Sequence, residues 1–67
     1  MSIVDELRRA IAKAERRGMT RGAIADRAGM PRSQLTRIAT GESEPLLGNA
    51  ERVAKAIGYR LVLSIAK

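Results

Sequence analysis

Apolar positions recur at steps of three and four along most of the chain, and at steps of two only near its end. Over residues 2–17, Val4, Leu7, Ile11 and Ala14 fall on one side of a 3.6-residue turn, which predicts an amphipathic helix. Ser2 with Asp5 is a capping pair, Asp5 and Glu6 fill the first turn, and Lys13, Arg16 and Arg17 sit near the end, where positive charge suits the dipole. Gly18 fits the left-handed closing position. A second helix is predicted over 21–28, opened by Thr20 and closed by Gly29, with Ile24, Ala25 and Ala28 inward. A third runs from 31 or 32 to 40, with Leu35 and Ile38 inward and Gly41 as its stop. After a loop at 42–45, a fourth covers 47–57 with Leu47, Ala50, Val53, Ala54 and Ile57 on one face, and Gly58 ends it.

The tail changes period. Tyr59, Leu61, Leu63 and Ile65 alternate with smaller or polar neighbours, a pattern that favours a β-strand. One strand cannot satisfy its own backbone, and no second strand candidate precedes it, so its simplest partner is the same strand of another copy. The expected architecture is all-α, four helices plus a short C-terminal strand paired across a homodimer: residues 1–58 form the body and 59–67 the dimerisation strand, through Tyr59, Leu61, Leu63 and Ile65.

Composition narrows the chemistry. With 67 residues the chain can build one core, and 45% apolar content is too high for a disordered basic tail. Cysteine and histidine are both absent, which removes disulfides, thiol chemistry, imidazole metal ligands and every nucleophile–histidine arrangement. The seven acids form no metal-ligand or paired-carboxylate spacing, so no catalytic residue, metal or cofactor is assigned and no enzyme is expected. Tyr59 is the one aromatic residue, so single-strand recognition by base stacking is nearly excluded. No apolar run approaches the roughly 20 residues of a membrane span, and no signal-peptide layout is present; a cytoplasmic, nucleoid-associated location is expected.

Charge then points to a partner. The chain carries +6, with 13 basic and 7 acidic residues. Between Arg16 and Arg37 there are six arginines (16, 17, 21, 27, 32 and 37) against Asp26 alone, six minus one, or +5. A solvated, arginine-rich surface explains the choice of arginine but not this clustering, which is the footprint of a phosphate-backbone binder. The same stretch holds two short helices joined by Gly29-Met30-Pro31, with small Ala25 where they must come close and Leu35 inward, the spacing of a helix-turn-helix.

The stretch 19–38, followed by Gly41 and Pro45 and by Ala54-Lys55-Ala56-Ile57-Gly58, resembles the Cro/cI-type (Xre-like, lambda-repressor-like) helix-turn-helix regulators over about residues 7–58. The tail resembles that of small antitoxin-type members. The resemblance implies a compact DNA-binding domain that dimerises and represses from a palindromic operator. It places Arg32, Ser33, Thr36 and Arg37 at the base-reading positions of the recognition helix. Arg32 and Arg37 suit bidentate contact with guanine, and the Thr36 methyl suits thymine. Thr20 and Arg21 match the family's phosphate clamp, and Gln34, one position aside, is expected toward the backbone or solvent, with adenine pairing as its alternative. Two departures from the pattern stand out: Arg21 replaces the usual glutamine, and Glu42 and Glu44 stand where relatives often carry basic or neutral residues, so that loop is given no backbone contact. Arg8 and Arg9 are expected on the outer face of the first helix. The partners expected are double-stranded DNA and a second copy. The competing reading is a protein-interaction module, such as an antitoxin that neutralises a toxin protein.

Overall fold

A computed structural model describes residues 2–61, in which four helices follow one another: α1 (Ile3–Arg16), α2 (Arg21–Ala28), α3 (Arg32–Thr40) and α4 (Leu47–Ala56). Their starts follow from local chemistry. The Asp5 amide donates to Ser2 Oγ and the Ala23 amide to Thr20 Oγ1, each at 3.1 Å, so both hydroxyls act as the caps their positions suggest. Pro31 and Leu46 precede α3 and α4 without a side-chain cap bond.

The ends of α1, α2 and α4 share one closure. Met19, Met30 and Tyr59 donate their amides back to the carbonyls of Ala14, Ala25 and Ala54, while Gly18, Gly29 and Gly58 donate to those of Glu15, Asp26 and Lys55. This paired arrangement satisfies the last carbonyls of a helix and turns the chain sharply. At Gly29, φ is +71° and ψ 36°, the left-handed region that a side chain disfavours, and this residue makes the turn between α2 and α3. Met30, one residue on, drops into the core at 8% exposure, an inward role that its place in the turn did not suggest.

α2 packs on both α3 and α4, and α1 lies across the same two helices. Ile11, Ile24, Leu35, Ile38 and Val53 are fully buried at the centre, and Ala25 and Ala28 let α2 approach its neighbours closely. Among the described residues no polar side chain is buried, and none leaves a buried atom without a partner. The interior is apolar throughout.

Two expectations need correction. Leu47 shares the face of α4 that carries Ala50, Val53 and Ala54, yet as the first residue of the helix it is 67% exposed, at the edge of a groove rather than within the core. With Ile3, Val4, Leu7, Pro45, Ala50 and Leu61 it borders an open apolar groove. Ile57 follows α4 rather than ending it, and is half-buried against the core.

The described chain carries no strand. Tyr59 closes α4, Leu61 packs partly against the core, and residues 59–61 have no regular structure. Leu63 and Ile65, the rest of the expected strand, lie outside the described residues.

Candidate nucleic-acid interface

The geometry begins with the underside of α3. Leu35 and Ile38 are at 0% and 1% exposure, which fixes the helix by its apolar side against the body. At 3.6 residues per turn, Arg32, Ser33, Thr36, Arg37 and Thr40 then share an arc of roughly 140° on the opposite side. Arg32, Ser33, Arg37 and Thr40 are exposed and Thr36 is half-buried at the margin. Gln34 falls beside the inward face and is half-buried, apart from the four proposed base readers. Thr40 belongs to the arc although the sequence reading passed over it; its spacing of four from Thr36 was the available signal. Its hydroxyl donates to the Arg37 carbonyl at 3.4 Å.

Neither Arg32 nor Arg37 forms an ion pair or side-chain hydrogen bond among the described residues, so both guanidinium groups keep all their donors. The first turns of α2 and α3 contain no acid, in contrast to Asp5 and Glu6 in the first turn of α1. Neither first turn offsets the partial positive charge of its helix N-terminus with an acid of its own, and both helix starts lie in the arginine-rich stretch.

The second helix carries the remaining candidates. Thr20 is exposed while its oxygen caps α2. Arg21 donates through Nε to Glu15 Oε1 at 3.2 Å, tying the start of α2 to the end of α1 across the turn. Its Nη groups have no partner among the described residues.

The structure moves Arg8 away from its expected place. It does not project from the outer face of α1. Its side chain is 20% exposed and reaches the carbonyls of Ile38 and Ser43. Glu44, one of the two acids in the loop after α3, pairs with it at 3.7 Å, and both Glu44 and Glu42 are exposed.

A short α2, a left-handed glycine turn and an exposed basic side of α3 make up the central unit of the fold, and a helix-turn-helix family model matches residues 9–63. The chain belongs to the Cro/cI-type helix-turn-helix family. As a Cro/cI-type protein it carries the domain of a DNA-binding regulator, a binding family rather than a catalytic one. No curated protein and no solved structure matches it. Among the described residues, no helix of this Cro/cI-type domain is long and apolar enough to cross a membrane, and no cluster of acids could hold a metal ion.

Proposed function

We propose that the protein is a dimeric, sequence-specific double-stranded DNA-binding repressor that reads a palindromic operator by laying α3 in the major groove. The observation that carries this reading is the exposed arc of α3, on which the side chains of Arg32 and Arg37 have no partner among the described residues and stand above a fully buried apolar underside. Arg32, Ser33, Thr36 and Arg37 read base edges. Thr20, the Nη groups of Arg21, and Gln34 hold the sugar–phosphate backbone. Such a protein works at the nucleoid, in the cytoplasm.

Residues 1–58 form the DNA-binding body, and 59–67 join two copies. Ile3 and Tyr59, 43% and 44% exposed, flank a groove that Leu61 also lines, and in the sequence Leu63 and Ile65 continue the alternation of apolar residues begun at Tyr59 and Leu61. Antiparallel pairing of two tails about a two-fold axis sets the recognition helices about 34 Å apart, one turn of the duplex.

Selection of bound sequences from a random duplex pool tests the reading. An enriched palindrome is expected, with log affinity falling against log salt at a slope near about −5 if roughly six phosphates are neutralised per dimer. An unenriched pool together with salt-insensitive binding would leave the toxin-neutralising alternative in its place.

The dimer has its own test. A chain ending at Leu61 keeps the closure of α4 at Tyr59 and the packing of Leu61. It is expected to sediment as a monomer and to bind the palindrome about a hundredfold more weakly, through loss of the second half-site. A truncated form that stays dimeric assigns the subunit contact elsewhere.

A further inference from the structure

We infer that Arg8 is the positioning residue that sets the angle of α3 on the body, so that it governs discrimination between base sequences without touching DNA. This rests on the DNA-binding reading above. The observation is a difference between helix ends. α1, α2 and α4 each close with a bond reaching back five residues. Among the described residues α3 lacks that bond: Gly41 donates to Ile38 at a long 3.4 Å, and Ser43 reaches back to Arg37 at 3.2 Å. Its start has no side-chain cap either. By its own bonds α3 is the least secured of the four.

Arg8 supplies what is missing, from another element. Its Nε–H donates to the Ile38 carbonyl at 2.8 Å and its Nη2 to the Ser43 carbonyl at 3.2 Å, contacts that span 30 and 35 residues of sequence. Asp5 at 3.6 Å and Glu44 at 3.7 Å flank the guanidinium from both sides. One planar fork thus ties α1 to the last turn of α3 and to the loop behind it, with positive charge at a helix C-terminus, where it is favoured. Arg37 is the neighbour of Ile38, and its own carbonyl accepts from Ser43 and from Thr40, so the anchored segment includes a proposed base reader.

A direct phosphate contact by Arg8 fits these facts poorly. The side chain is mostly covered, its donors are engaged, and two carboxylates beside it would repel a phosphate. Orientation is the role that remains. Bidentate pairing with a guanine edge requires close alignment, whereas backbone contacts to phosphates tolerate a small tilt of the helix.

The test compares Arg8→Ala with Val53→Ala, a core variant on α4 that removes no hydrogen bond to α3, both at a temperature where circular dichroism shows them folded. Affinity is measured for the duplex enriched by the wild-type protein and for a scrambled duplex of equal composition. Arg8→Ala is expected to lose about tenfold in the ratio of the two affinities, equivalent to about one weakened base contact. Its salt slope stays unchanged, and amide exchange quickens at Gly41, Glu42 and Ser43. Val53→Ala keeps the ratio. The inference is overturned if Arg8→Ala retains the wild-type ratio, or if Val53→Ala loses as much. It is equally overturned if Arg8→Ala weakens both duplexes alike with the slope falling by about one unit, which marks a phosphate contact. A wild-type protein without sequence preference ends the DNA reading and the discriminating role with it; amide exchange at residues 41–43 then separates that failure from a failure of the anchor itself.

Discussion

Replacing Arg32 and Arg37 together by alanine is expected to cost about a thousandfold or more in affinity for a selected duplex, with helix content and melting temperature unchanged. Each well-made arginine–guanine pair contributes about 1–3 kcal/mol of discrimination, and a two-fold dimer loses four of them at once. That takes specific binding down to the sequence-independent level set by phosphates, where roughly three or more powers of ten separate the two modes. Stability should not follow, because both side chains stand in solvent on the outer arc of α3 and support nothing inside the domain. Gel-shift or fluorescence titration against selected and scrambled duplexes, beside a thermal melt, reads both halves of the expectation. A double variant that still prefers the selected duplex would remove these two residues from base recognition.

Leu35→Ala is the counterpart, with a large effect on folding. Leu35 is at 0% exposure beneath the recognition helix, packed within the same cluster as Ile24, Ala25 and Ile38. Truncating a buried leucine to alanine costs about 2–5 kcal/mol, from lost transfer and from the cavity left behind. A chain of this size has roughly 3–10 kcal/mol in total at ordinary per-residue stabilities. The variant is therefore expected to melt at least about 10 °C lower or to be largely unfolded, as read by far-ultraviolet circular dichroism. DNA binding should disappear with the fold and return where a lower temperature restores helix content. An unchanged melting temperature would mean that α3 does not rest on this side chain.

The helix boundaries were legible because they are written in single residues. Ser2 and Thr20 start α1 and α2 by accepting an amide three residues on, and a glycine follows each helix, directly after α2 and α3 and one residue later after α1 and α4. Periodicity gave the inward faces well where a helix is covered along its whole length, as at Leu7, Ile11 and Ala14 or at Leu35 and Ile38. It failed at Leu47, since a hydrophobic stripe records which side of a helix is apolar but not how much of that side the core covers. Arg8 was illegible for a related reason. On a helical wheel it belongs to the polar side of α1, and its reach to carbonyls 30 and 35 residues away depends on where α3 ends in space. The Glu15–Arg21 pair sits between these cases. Its members are six residues apart across one turn, but only the bend at Gly18 and Met19 brings them to 3.2 Å. The base-reading positions came from the family resemblance together with the exposed side of α3. The structure shows Arg32, Ser33 and Arg37 exposed and Thr36 half-buried on that side, and duplex binding will decide what they contact.

The closures of α1, α2 and α4 bear on how quickly the domain assembles. Their bonds join residues three and five apart, so these bends require no distant partner and incur little loop-closure entropy. Chains dominated by such near-neighbour contacts reach the native state in microseconds to milliseconds. α3 is the exception, since its last turn is tied by Arg8 of α1, 30 residues away in sequence, so the bearing of this one helix depends on a contact that closes a long loop.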